Sequence, residues 1–184
     1  MLHFRFMDTG NSPEVKRIAI VGPECTGKTA LASFLAQHFR TLWVPEFARN
    51  YLETLNRPYE KQDLAIIAKG QIRLENELAA RANKLIICDT NLFVIKIWSE
   101  FNYGDCDPDI VKALSAQHYD LQLLTYIDIP WEDDPQREHP HQREQLYEVY
   151  RSELLNSDAH FVEIKGKERQ RRTVAISAIE EILK

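Results

Sequence analysis

The segment Gly22-Pro23-Glu24-Cys25-Thr26-Gly27-Lys28-Thr29 meets the spacing G-x-x-x-x-G-K-[ST] at every fixed position. Each position has a chemical task. Gly22 and Gly27 admit backbone conformations that a Cβ resists, so successive N–H groups through Ala30 can converge on phosphate oxygens. Lys28 brings an ammonium for the β- and γ-phosphates, and the Thr29 hydroxyl is a ligand for magnesium. A helix beginning there adds the positive end of its dipole. The same spacing can occur in an ordinary turn, but here it follows an apolar strand and opens an amphipathic helix. ATP with Mg2+ is the expected ligand set. Cys25 is open to two roles, a thiolate favoured by the helix N-terminus or a small residue that contributes only its N–H.

A phosphate cradle alone binds nucleotide. Transfer also needs a carboxylate for the metal, a group that orients the acceptor hydroxyl, and positive charge for the moving phosphoryl. Asp89 ends an apolar run, where a Walker-B-type acid holds magnesium directly or through water; its other available role is to cap the next helix. Glu46 and Arg49 follow the second strand, on the edge where open α/β sheets bind ligands. Glu46 is the candidate general base, with ribose binding or an ion pair to Arg49 as alternatives. Arg137, and with it Arg143, could close over the phosphates from a loop. Asp133 and Asp134 could meet a cationic acceptor, orient arginines or face water, while His139 and His141 are assigned no ligand. The catalytic set is thus Lys28, Glu46, Asp89 and Arg137, and the acceptor set is Glu46, Arg49, Asp89 and Trp98.

Apolar runs alternating with helical periodicity must position these groups, which points to parallel strands joined by crossover helices. Strands are expected at Arg17–Val21, Leu42–Val44, Lys84–Cys88, Leu121–Ile127 and His160–Ile164. Helices are expected from Lys28, around Tyr51 to Leu55, over Glu60–Ala82, after Pro108 behind an Asp107 cap, through Leu146 to Leu154, and at the C-terminus. The stretch Ile129–His141 is rich in proline and charge, so it is expected as an exposed lid loop. The resulting fold class is α/β, a three-layer P-loop NTPase fold with a central five-stranded, mainly parallel sheet. Residues 1–16 form an N-terminal flank and 17–184 the P-loop kinase domain.

A length of 184 residues with 44% hydrophobic and 28% charged side chains suits one folded domain. The net charge of -5 argues against nucleic acid as a partner, and the basic run Lys165 to Arg172 is expected as a solvated helix face. Three cysteines without metal-ligand spacing exclude a disulfide framework and a zinc site, which suits a reducing cytoplasm. The aromatic stretch Met1–Phe6 is interrupted too early for a signal core or a membrane span.

Four segments together resemble the ribosylnicotinamide kinase domain of the NadR-like P-loop family: Gly22–Thr29, Trp43–Arg49, Cys88–Thr90 and Asp128–Arg137. The resemblance implies ATP-dependent phosphorylation of the ribose 5′-hydroxyl of nicotinamide riboside, giving nicotinamide mononucleotide in NAD salvage. A pyridinium cation would be received by carboxylates such as Glu46 and by aromatic faces. Trp43, Phe47, Tyr51 and Trp98 are the aromatic candidates, with a place in the core as the alternative for each. Larger relatives add an adenylyltransferase domain and sometimes a DNA-binding domain, for which this chain has no room. Two other functions remain open: a deoxynucleoside or nucleotide kinase, and an ATP-binding regulatory switch signalling through the loop 128–141. Nothing in the sequence specifies the oligomeric state.

Overall fold

Short unbroken apolar runs can bury both faces only inside a sheet, and they do so here in a computed structural model that describes residues 15–184. The sheet comprises β1 (Lys16–Val21), β2 (Trp43–Val44), β3 (Leu85–Asp89), β4 (Leu121–Thr125) and β5 (Phe161–Ile164). All four pairings are parallel, in the order β2-β3-β1-β4-β5. Of the expected flank 1–16, residues 1–14 lie outside the described residues, and Lys16 already belongs to β1.

Alternation along the strands sorts the core into two layers of contact. Ile18 and Ile20 of β1 face Leu31, Leu35, Ala175 and Ile179 from helices α1 (Lys28–Phe39) and α7 (Glu168–Ile182). Ala19 and Val21 face the opposite way, toward Phe93 and Ile97 of α4 (Leu92–Tyr103) and Leu146, Tyr147 and Tyr150 of α6 (Arg143–Leu155). Helices therefore cover both faces, giving the expected three layers. A third cluster joins Ala48 of α2 (Phe47–Thr54), Leu64 and Ile67 of α3 (Lys61–Ala79), Leu92 and Ile95 of α4, and Ile110 of α5 (Pro108–Ser115). As expected, Pro108 opens α5 and the Asp107 carboxylate accepts from Asp109 N at 2.8 Å. The strand expected to reach Ile127 ends at Thr125, because the chain turns there into the loop that crosses the site.

At Gly70, α3 approaches α2 closely. An added Cβ would lie 2.2 Å from Cε1 of Phe47, well inside van der Waals contact. Alanine in a helix interior ordinarily gains about 1 kcal/mol over glycine, but overpacking costs about 1–3 kcal/mol. Gly70→Ala should therefore lower the thermal midpoint, and a raised midpoint in calorimetry would contradict this packing.

Candidate functional site

β1 ends at Val21 on the C-terminal edge of the sheet, and the chain reverses through residues 22–27 into α1. Gly22 (φ 133°) and Gly27 (φ 76°) occupy the positive-φ region, joined by Cys25 (φ 54°). Gly22 is needed for space as well as for dihedral freedom, since a Cβ there would stand 2.7 Å from Thr125 Oγ1. The buried Thr26 hydroxyl lies 2.7 Å from that same Oγ1 and 2.8 Å from Pro23 O, while the Thr125 hydroxyl lies 3.0 Å from Val21 O. This chain of hydroxyls ties the loop to the end of β4. The Lys28 ammonium donates to Gly22 O (3.1 Å) and Pro23 O (2.8 Å), so it is held over its own loop.

Arg171 corrects the expectation of a wholly solvated basic run. It is only 4% exposed, donates to Thr26 O and pairs with Asp128, and so supports the loop from α7. The signal was its four-residue spacing from Ala175 and Ile179 on the buried stripe of that helix.

Asp89 closes β3 opposite Ile20 of β1, which brings its carboxylate beside the start of α1. Thr29 Oγ1 donates to Asp89 Oδ2 at 2.6 Å, and Asp89 is 1% exposed. Its Oδ1 has no hydrogen-bond partner among the described residues. Burial raises its carboxyl from the ordinary range, and the Thr29 hydroxyl opposes the shift. Capping falls to Asn91, whose side chain accepts from Val94 N, so Asp89 is left to the site. Two hard oxygen donors side by side, one carboxylate oxygen lacking a partner, suit the donor preference of Mg2+.

Glu46 stands at the N-terminus of α2, half-buried, and makes no hydrogen bond or ion pair among the described residues. The alternative of a Glu46–Arg49 ion pair is not what forms. Arg49 Nη2 instead meets Asp134 Oδ2 at 2.9 Å, and this guanidinium holds the Asp134 carboxyl below its ordinary value. Glu46 is raised, first by burial and further by Asp89, with Lys28 and Arg49 opposing.

The loop 129–141 is irregular as expected, but it is fastened to the body. Glu24 Oε2 accepts from Glu138 N (2.9 Å) and His139 N (3.2 Å), and Cys25 Sγ accepts from Glu132 N (3.2 Å) and Arg137 Nη1 (3.3 Å). Glu24 and Cys25 thus turn their side chains to the loop, and for Cys25 neither role weighed from the sequence covers this contact. Arg143 is buried beneath the site and donates to Cys25 O (2.8 Å) and Ile129 O (3.0 Å), a brace for the loop rather than a group closing from above.

A cavity of about 320 Å3 collects these groups. Gly22–Ala30, Glu46, Arg49, Trp98 and Arg137 line it, so the sequence-derived set converges, apart from Asp89, which lies beneath Thr29. Among the four aromatic candidates only Trp98 reaches this wall. Trp43 packs on the core facing α1 and α7, and Phe47 and Tyr51 pack on α3. Phe101, Asn102, Gln136, His139 and Tyr150 also line the cavity. The sequence offered no spacing that singles these out, although α4 carries Trp98, Phe101 and Asn102 on adjacent turns.

A family profile described as AAA domain matches residues 17–172. The chain belongs to that AAA-domain family. Trifunctional NAD biosynthesis/regulator protein NadR of Escherichia coli (strain K12) is 26% identical over 126 residues, 65% of this chain and 30% of that protein. The chain therefore matches under a third of this relative's length. A crystal structure of NadR protein in complex with NR superposes with a TM-score of 0.80 at 19% identity, covering 92% of this chain and 52% of the other. Thymidylate kinase from Ehrlichia chaffeensis gives 0.63 at 14% identity, over 92% of this chain and 100% of that one. The fold is accordingly the α/β P-loop fold of these proteins. Among the described residues, no helix is long and apolar enough to cross a membrane.

Because burial raises Glu46, its neutral form is the one the fold favours. Its stabilising contribution is complete below the ordinary value of 4.5 and is lost as pH rises through the folded value. Glu46→Gln, permanently neutral, should melt above the wild type at pH 7, with the difference shrinking on acidification toward pH 4.5. A difference that grows on acidification would contradict burial as the dominant cause.

Proposed function

We propose that this protein is an ATP-dependent small-molecule kinase whose acceptor is a nucleoside hydroxyl, with the 5′-hydroxyl of nicotinamide riboside the preferred one. The observation that carries the reading is the Glu46 carboxylate, without a hydrogen-bonding partner, sharing one cavity with Lys28 and the phosphate loop. A carboxylate in that place can accept a proton, and an ammonium can follow charge onto the phosphates. The likeness to NadR solved with NR, an abbreviation that suits nicotinamide riboside, supports this choice of acceptor.

In this mechanism the N–H groups of residues 22–30 hold the β- and γ-phosphates, and Lys28 moves from the Gly22 and Pro23 carbonyls to phosphate oxygens. A second cleft of about 520 Å3 meets the loop at Gly27 and Ala30, between Ile129 and Pro130 on one side and Gly166 and Arg171 on the other. It suits the donor's base, leaving the Glu46 side of the loop to the acceptor. The acceptor oxygen forms its bond to the γ-phosphorus while its proton passes to Glu46. The bond from phosphorus to the bridging oxygen breaks, and ADP leaves. Arg137 faces the developing charge, with its guanidinium held at Cys25 Sγ. Thr29 and Asp89 would hold Mg2+, which neutralises phosphate charge when bound. A pyridinium ring would lie against Trp98 within the field of Glu46, a favourable cation–π setting. We assign the protein to the cytoplasm, where ATP and reduced cysteines are both maintained.

Purified protein should release ADP from ATP and Mg2+ in the presence of nicotinamide riboside, faster than with thymidine, deoxyadenosine or uridine. Lys28→Ala should abolish turnover. Glu46→Gln should lower kcat by about 10²–10⁴-fold, the range for loss of a general base. Turnover of a deoxynucleoside alone would reassign the acceptor, and nucleotide binding without product from any acceptor would favour the regulatory switch.

A further inference from the structure

The side-chain oxygen of a helix N-cap ordinarily accepts from the N–H of the second or third helical residue. Glu46 does not. It is the N-cap of α2, extended at φ -63° and ψ 112°, and its side chain caps nothing. Yet Phe47 N–H, the first of the helix, is satisfied: it donates to Gln71 Oε1 of α3 at 2.9 Å. A side chain from another helix thus anchors the first N–H of α2, one residue beyond Glu46, and fixes the backbone from which the Glu46 side chain projects.

Gln71 is built to do this and little else. It is 1% exposed, and its Nε2 donates to Glu75 Oε1 at 3.2 Å, one helical turn further along. Glu75 is 0% exposed, and its other oxygen receives the Tyr119 hydroxyl at 2.7 Å and Arg17 Nη1 at 3.4 Å. With those donors on Oε2, Oε1 is left to accept from the amide nitrogen, which turns the amide oxygen of Gln71 toward Phe47. The neighbouring residue acts on the same target, since Gly70 lacks the Cβ that would collide with the Phe47 ring. Phe47 is thus held at its N–H by Gln71 and at its ring by the bare backbone of Gly70, and Glu46 is one peptide bond away.

We infer that Gln71, oriented by Glu75, is a positioning residue that anchors the first N–H of α2 and so keeps the adjoining Glu46 carboxylate aimed at the acceptor. The inference rests on the reading of Glu46 as the base, and it adds a residue that touches neither substrate. Neither the phosphate-loop motif nor the family likeness assigns Gln71 a role.

A double-substitution cycle tests it. Gln71→Met keeps the length and removes the acceptor. Displacement of a reacting group by a fraction of an ångström to one ångström lowers kcat by about tenfold to a hundredfold, and KM for ATP should remain within about twofold because the phosphate loop is untouched. In a Glu46→Gln background the same substitution should cost less than about twofold, since a coupled pair is not additive. Equal losses in both backgrounds, or an unchanged kcat in the single variant, would overturn the inference while leaving the kinase reading intact. A readout independent of turnover accompanies the kinetics: in ¹³C-glutamate NMR titrations, the carboxyl resonance that disappears in Glu46→Gln should titrate at a different pH in Gln71→Met. An identical Glu46 titration would refute positioning even if no acceptor is ever turned over. Should Gln71→Met fold poorly, Gln71→Asn, whose amide falls one methylene short of Phe47, replaces it in every arm.

Discussion

The site depends on a contact that leaves no room for a β-carbon. Where β1 meets the phosphate loop, Gly22 lies against the Thr125 hydroxyl and carbonyl, and the Thr26 hydroxyl bonds to the same threonine. Loop backbone is ordinarily free to relax, and a loop that relaxes scatters its N–H vectors. Here it is clamped from β4 through Thr125, from α7 through Arg171, and from α6 through Arg143. Three elements distant in sequence hold eight residues in a conformation whose positive φ angles would otherwise be costly. Preorganisation of this kind lets backbone dipoles act on a phosphate without reorganising as it binds.

The same edge of the sheet concentrates charge of both signs. Lys28 stands over the loop, Asp89 lies beneath Thr29, and Glu46 opens onto the cavity beside Arg49 and Arg137. Burial raises both acids, and the nearby cations pull them back. Arg49 pairs with Asp134, so Glu46 feels Lys28 and Arg49 without forming an ion pair among the described residues. The loop 129–141 takes part in this arrangement: Glu24 and Cys25 bind it to the phosphate loop, and its Asp134 binds it to Arg49 of α2.

Much of the fold was legible because parallel strands buried on both faces must be short apolar runs, and the runs at β1, β3 and β4 contain little else. The phosphate loop was legible because its task demands glycines, a lysine and a hydroxyl at set intervals. Asp89 could be read from its place at the end of a strand. What could not be read depends on partners far along the chain. Nothing local tells that Arg49 binds Asp134 rather than Glu46, or that Phe47 and Tyr51 turn to α3 while Trp98 turns to the cavity. Cys25 illustrates the limit: its sulfur serves the loop across 107 and 112 residues of separation, a contact no spacing rule anticipates.

The long reach of the clamp also governs when the site comes into being. Thr26 and Thr125 are 99 residues apart, Thr125 and Val21 are 104, and Arg171 lies 145 beyond Thr26. Contacts so distant close late, because chain entropy opposes them until intervening segments are packed. During synthesis the motif emerges well before Thr125 and Arg171, yet it remains unformed until the fourth strand docks. Nucleotide affinity would thus mature near the end of folding, making the bound triphosphate a selective stabiliser of the finished chain over its partly assembled precursors.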